Sequence, residues 1–382
     1  MTLPTAPPPE PVGTWTTPTA GSAAITLREI LLAAVAQGAS DIHVRAGAAP
    51  LLRVAGDLQP LAVAALTAED AGRLLAAALP SEREAAIFEA DRECDFALVE
   101  PGVGRFRVNA YRSRGSDAMV LRHVKESVPS FVDLGLPSVV HDMALATSGL
   151  ILVCGPTGSG KTTTLAAMID AINGERRCHI LTIEDPIEFL HQGRLATISQ
   201  RELHTDTFDF ARALRSGMRQ DPDVILIGEI RDTETMRTAL QAAQTGHLVL
   251  ASLHAKSAIE AVNRVIDLFP VAEQRQARLS LAESIRGVLC QHLVRSASGN
   301  GRMMLMEIAV ATPRVRETIA DEGKVAQLGD IVAEGEFYGM RTFQQDAVRL
   351  VMSGAIDVDA AESVVPSPAD FRLALKRAGF HG

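Results

Sequence analysis

The sequence predicts an α/β protein built on a parallel sheet, preceded by a small α+β domain. Three observations predict it. Near-continuous apolar runs at 151–154, 179–183, 224–227 and 248–252 alternate with helical stretches such as 209–219 and 233–244, the pattern of strands buried on both faces. Before residue 128, strands and helices mix without that alternation, and after Phe269-Pro270 the pattern becomes mostly helical. Between the two regions, Val128-Pro129-Ser130 through Leu136-Pro137 reads as a linker stiffened by proline. For 382 residues, two folded domains are expected, and the boundaries read as a tail over 1–24, the α+β domain over 25–127, a linker over 128–140 and the α/β domain over 141–382.

The first two dozen residues are rich in Pro, Thr and Ala and lack a basic start followed by an apolar core, so they read as a flexible tail and not a signal peptide. Thr26 and Glu29 have capping-box spacing ahead of an apolar helical face of Leu27, Ile30, Leu31, Ala34 and Val35, with Gly38 as the stop. Strands follow at 40–44 and 50–54, with a turn at Gly56-Asp57. A helical stretch rich in alanine and leucine comes next, and then a hairpin of 105–111 and 118–124. In that hairpin Arg107 and Asn109 alternate with Phe106 and Val108, which puts arginine on one side and Phe106 inward.

Gly155-Pro156-Thr157-Gly158-Ser159-Gly160-Lys161-Thr162 is a complete phosphate-binding loop, set between an apolar strand at 151–153 and a helix running from Thr163 to Ile172. Its glycines let successive backbone N–H groups turn toward phosphates, and the helix N-terminus adds partial positive charge. Lys161 reaches the β- and γ-phosphates, and the Thr162 hydroxyl suits Mg²⁺. The ligands implied are ATP and Mg²⁺. A second element, Asp223-Val224-Ile225-Leu226-Ile227-Gly228-Glu229, ends a buried strand in a carboxylate. Many such ATPases carry Asp-Glu there; here Gly228 replaces the Asp, so Glu229 takes the water-positioning or general-base role. The magnesium's carboxylate, acting through water, then comes from Glu184-Asp185-Pro186-Ile187-Glu188 at the preceding strand end. Thr245-Gly246-His247-Leu248 and Ser252-Leu253-His254 bracket another strand with histidines, expected at the mouth of the sheet, where ligands sit. His254 is placed to sense the γ-phosphate or contact Glu229, and His247 either joins it or caps the strand.

No obvious arginine adjoins the phosphate loop. Arg105, Arg107, Arg112, Arg114 and Arg122 crowd onto the first-domain hairpin instead. They are either a solvated basic face or, for Arg107 and Arg122, a source of positive charge supplied to the γ-phosphoryl from another domain or subunit.

Composition narrows the class further. The net charge of −9 gives no basic field for nucleic acid or an acidic membrane. The four cysteines, Cys94, Cys154, Cys178 and Cys290, are scattered without a Cys-x-x-Cys pair, which argues against a zinc module or disulfide framework and fits a reducing cytoplasm. No apolar run reaches membrane-spanning length: the stretch at 61–79 is broken by Glu69, Asp70 and Arg73.

Together, the phosphate loop, the box Leu181-Thr-Ile-Glu-Asp-Pro-Ile-Glu188, Ile227-Gly-Glu-Ile-Arg231 and Thr245-Gly-His247 resemble the secretion-superfamily ATPases. More narrowly the chain is similar to the PilT/PilU group of type IV pilus retraction motors, from Gln37-Gly-Ala-Ser-Asp-Ile-His43 to the C-terminus. The resemblance implies a PAS-like domain followed by a RecA-like ATPase domain, a cytoplasmic homo-hexamer peripheral to the inner membrane, ATP between subunits, and domain rotation that turns a membrane platform protein. It assigns Glu184, Asp185 and Glu188 to an Asp box, His247 and His254 to a His box, and Arg107 and Arg122 to the nucleotide. Pro313-Arg314-Val315-Arg316 lies where retraction motors carry Ala-Ile-Arg, with only Arg316 retained. Ser367-Pro368-Ala369-Asp370-Phe371-Arg372 looks more like the PilU branch. Alternatives are an extension or type II secretion motor, whose extra N-terminal domain and tetracysteine module do not appear here, an accessory subunit beside a paralogous motor, and a nucleic-acid translocase, which the charge disfavours.

Overall fold

Thr26 opens the first helix as its spacing with Glu29 predicts: its backbone N–H donates to the Glu29 carboxylate at 2.8 Å, and its hydroxyl accepts the Glu29 N–H at 3.3 Å. The computed structural model describes residues 25–54, 56–124, 127–299 and 301–380; the expected tail over 1–24 lies outside them. The chain divides into two units, Met1–Glu126 and Ser127–Gly382.

In the first unit, α1 (Leu27–Ala36) leads to β1 (Asp41–Arg45), β2 (Leu51–Val54) and β3 (Asp57–Pro60). Then come α2 (Ala68–Ala78), α3 (Glu82–Asp91), β4 (Glu93–Glu100), β5 (Gly104–Ser113) and β6 (Ser116–Val124). The strands form an antiparallel sheet of order β3-β2-β1-β6-β5-β4. Ile30, Leu31, Leu74 and Leu75 from the helices bury against Ile42, Phe106, Val108 and Leu121 from the strands, each large apolar side chain contributing about 1.5–3 kcal/mol. Phe106 is inward as its alternation predicts. Strands β3 and β4 are additions to the expected element set. They are the two sheet edges; β3 is exposed along its length, so the apolar pattern that reveals an inner strand is absent there, whereas β4 alternates Cys94, Phe96 and Leu98 toward the core.

The second unit begins with α4 (Ser138–Ala144), β7 (Gly149–Cys154), α5 (Lys161–Glu175), β8 (His179–Glu184) and β9 (Thr197–Glu202). It continues through α6 (Phe210–Gly217), β10 (Val224–Ile227), α7 (Thr233–Gln244), β11 (Leu248–Leu253), α8 (Ala258–Asp267) and α9 (Val271–Ser284). Strands β12 (Ile285–Arg295) and β13 (Arg302–Val310) follow, then α10 (Pro313–Ala320), α11 (Leu328–Ala333), α12 (Phe343–Met352), α13 (Val358–Glu362) and α14 (Pro368–Arg377). The sheet order is β13-β12-β7-β11-β10-β8-β9, parallel throughout except for the β12–β13 hairpin. Every residue of β7, β10 and β11 is buried.

Sequence reasoning expects mostly helix after Phe269-Pro270, and the hairpin corrects that. Helix α9 runs straight into β12 with Ile285 as both C-cap and first strand residue, so no turn residue marks the change. Strand β13 is rich in Met, Leu, Glu and Ala, helix formers whose weak preference the sheet overrides. In the C-terminal helices, Arg316 donates to the Ala282 and Glu283 carbonyls at 2.7 and 2.6 Å, satisfying the end of α9. Ser367 caps α14 with Pro368 in its first turn.

Candidate functional site

The parallel register brings the motifs together. Cys154 pairs with Leu253, and Ile227 with both Ala251 and Ile183, so β7, β11, β10 and β8 end along one edge of the sheet. The phosphate loop, His254, Glu229 and Glu184 therefore emerge side by side. They border a cleft of about 480 Å³.

The loop is held from behind. Gly155 has φ +149°, and a Cβ there would lie 2.5 Å from both the Gln291 carbonyl oxygen and Ser159 Oγ, so only glycine fits. Gln291, wholly buried on β12, donates from Nε2 to the Ser159 carbonyl at 2.9 Å. Gly160 precedes α5 with φ +91°. Thr157, Gly158, Gly160, Lys161, Thr162 and Thr163 face the cleft. The Lys161 ammonium donates to the Gly155 and Pro156 carbonyls at 2.9 and 3.1 Å; burial lowers its pKa, opposed by the nearby Glu229 charge.

Glu229 is clamped at both oxygens. Arg231 donates to Oε2 from Nε at 2.8 Å and from Nη2 at 2.5 Å, and His254 Nε2 stands 2.8 Å from Oε1. The carboxylate raises the Arg231 pKa, and Asp185 lies 4.0 Å from the same guanidinium. Ser252 Oγ donates to the Gly228 carbonyl at 2.5 Å. At Gly228 itself a Cβ would sit 3.2 Å from Glu184 Cα and from the Ile183 carbonyl. The β8 backbone thus crowds the position where an Asp-Glu pair would place its aspartate.

Glu184 is buried, accepting from Thr182 Oγ1 at 2.7 Å and Gln200 Nε2 at 3.1 Å. Burial pushes its pKa up to about 7. Gln200 also donates to the Phe189 carbonyl at 2.9 Å and accepts the His191 N–H at 2.8 Å, which fixes the acidic segment over the cleft. Thr162, Glu184, Asp185 and Glu188 present oxygen donors there, the type that suits Mg²⁺. Among the described residues no three His, Cys, Asp or Glu side chains group as a metal cage.

Two expectations need correction. His247 precedes β11 and contacts the Ala242 carbonyl through Nδ1 at 3.0 Å, at the edge of the sheet opposite the cleft, so it is not at the mouth. And the loop does have arginine neighbours: Arg231 and Arg302 both line the cleft. The signal for Arg231 was its place two residues after Glu229, on the same side of an extended segment. Gln200, Gln291 and Arg302 left no local motif.

In the first unit Arg107 and Arg122 are direct cross-strand partners. Arg122 Nε donates to buried Asp41 at 2.8 Å; Arg107 has no ion-pair partner among the described residues. Arg112 is paired with Glu89 and Asp117 at 2.8 and 3.2 Å.

A family profile described as "Type II/IV secretion system protein" matches residues 19–362. The chain belongs to this family. It is 44% identical over 312 residues to a twitching motility protein of Neisseria gonorrhoeae, covering 82% of this chain and 83% of that one. It is 41% identical to the type IV pilus retraction ATPase PilT of Pseudomonas aeruginosa, covering 90% and 99%. Identity to that organism's type IV pilus ATPase PilU is 37%, covering 91% of each. The lower value gives the PilU-like look of 367–372 no support from the whole chain. A crystal structure of the pilus retraction motor PilT with bound ADP superposes with a TM-score of 0.85 at 40% identity, covering 91% of this chain and 98% of that one.

His191 also lines the cleft, with its Nδ1 buried and unpartnered, and burial depresses its pKa from 6.5 to about 4. The unfolded chain takes up this proton near pH 6.5 and the folded one only near 4, so stability present above that window is lost as pH falls through it. The expected loss is about 2 kcal/mol between pH 7 and 5. His191→Gln should flatten that slope in equilibrium unfolding of the nucleotide-free protein; an unchanged slope would contradict the assignment.

Proposed function

We infer that this chain is a Mg²⁺-dependent ATPase motor that powers type IV pilus retraction. The observation that carries the reading is Glu229, fixed by Arg231 and His254 at the edge of the cleft that Lys161 and Thr162 share. The names of the similar proteins support the choice of motor within the family.

Hydrolysis needs an oriented water and relief of negative charge on the γ-phosphoryl. The phosphate loop and the N-terminus of α5 hold the phosphates, and the Lys161 ammonium moves from loop carbonyls to phosphate oxygens. Glu229 orients the water and takes its proton. With one oxygen on His254 and the other on Arg231, its carboxylate plane cannot rotate, which aims a remaining lone pair. Mg²⁺ would be held by Thr162 directly and by Glu184 through water, and would neutralise charge on the β- and γ-oxygens.

Arg107 and Arg122 are assigned to the nucleotide of a neighbouring subunit in a homo-hexamer. The first unit is assigned a PAS-like role in carrying them. The ring works in the cytoplasm at the inner face of the membrane, against a pilus platform protein, in some settings beside a paralogous ATPase. No helix among the described residues is long and apolar enough to cross a membrane. Retention of Lys161 and Glu229 counts against a subunit that only binds nucleotide.

Glu229→Gln should bind ATP with unchanged affinity and lose turnover by about 10²–10⁴-fold; full steady-state hydrolysis by this variant would remove Glu229 from the base role. Arg107→Ala should assemble but not hydrolyse. Mixed with Lys161→Ala, it should regain activity at interfaces that pair an intact arginine with an intact loop, and the absence of regain at any mixing ratio would refute action between subunits.

A further inference from the structure

His254 Nε2 stands 2.8 Å from Glu229, yet the histidine side chain is 41% exposed. Packing around the ring is therefore not what holds it, and the backbone that presents it must. That backbone is the connection His254-Ala255-Lys256-Ser257, between β11 and α8. Its first end is set by the sheet. Leu253 pairs with Cys154, and the Leu253 carbonyl accepts the Gly155 N–H at 3.3 Å.

The second end is set from another strand. Glu307, on β13, accepts the Ala258 N–H through Oε1 at 2.7 Å, at the first residue of α8. Two other side chains serve N–H groups of the same turn: Ser257 Oγ accepts that of Glu260 at 3.2 Å, and Glu260 Oε2 accepts that of Lys256 at 2.9 Å. Both belong to the turn and move with it. Glu307 is the one of the three that ties the turn to the sheet. Burial pushes its carboxyl up while the Ala258 N–H draws it down, and an acceptor facing a helix N-terminus is favoured by the helix dipole. Glu307 is also the register partner of Cys290, whose neighbour Gln291 holds the Ser159 carbonyl. One hairpin thus grips the phosphate loop through Gln291 and the His254 connection through Glu307, from adjacent positions.

We propose that Glu307 is a positioning residue for hydrolysis. By tying the start of α8 to β13 it fixes where His254 meets Glu229, and keeps that clamp in place relative to the phosphate loop. The inference deepens the ATPase reading and rests on it.

Steady-state ATP hydrolysis by the full chain in Mg²⁺ buffer, with calorimetric titration of ADP on the same preparations, tests it. Glu307→Leu fills the site but offers no acceptor, and should lower kcat about tenfold with KM and ADP affinity within about twofold of wild type. Unchanged ADP affinity also reports a folded phosphate loop. Glu307→Gln keeps an acceptor oxygen and should recover at least about half of the wild-type kcat. Combined with His254→Ala, Glu307→Leu should add no more than about a twofold loss, because both act through one contact. The inference is overturned if Glu307→Leu turns over like wild type, if its loss multiplies in full with that of His254→Ala, if glutamine is as slow as leucine, or if ADP binding falls in step with kcat. Wild-type protein that hydrolyses no ATP would instead overturn the ATPase reading, and this inference with it.

Discussion

The close approach of Gly155 to the Gln291 backbone and to Ser159 is the constraint on which the rest of the site depends. A phosphate loop works only if its N–H groups are held turned inward before the ligand arrives. Here a 2.5 Å gap to any Cβ excludes every side chain at Gly155, and a fully buried glutamine closes the loop from behind at 2.9 Å. The backbone conformation is thus fixed by the packing of β12 behind the loop together with the loop's own Ser159. The loop also sets where Lys161 begins, since its ammonium rests on the Gly155 and Pro156 carbonyls.

The same parallel sheet supplies the opposing electrostatics. A buried strand end is a costly place for a carboxylate unless its oxygens are paired. Glu229 and Glu184 solve this differently. Glu229 has a guanidinium on one oxygen and an imidazole on the other. Glu184 has only neutral donors, Thr182 and Gln200, and burial drives its pKa up to about 7. The first is a carboxyl group held in place and aimed at the cleft; the second is a carboxyl ready to ionise fully when a cation approaches. Gly228 is part of that division, because β8 leaves little room for a second acid beside Glu229.

Local signals were legible and distant ones were not. The phosphate loop, the capping box at Thr26, the inner parallel strands and the inward Phe106 each rest on residues within a few positions of one another, where spacing maps directly onto geometry. Strand β9 and the exposed edge β3 lack the apolar pattern. The β12–β13 hairpin hides behind helix-forming residues and a helix that enters it without a turn. The contact of His254 with Glu229 was one of two options in the sequence, and the β10–β11 register decides it. His247 shares a motif with His254 but sits at the far end of β11, because a six-residue strand lies between them. Gln291, 132 residues from the loop carbonyl it holds, had no sequence signature at all.

The central claim is that turnover in this cleft withdraws pili. It is tested most directly by deleting the gene in its own bacterium, counting surface pili and measuring twitching. A retraction motor predicts excess surface pili with twitching lost. A bald cell would contradict it in favour of an extension motor, and normal pili with normal twitching would contradict it in favour of a redundant or accessory subunit.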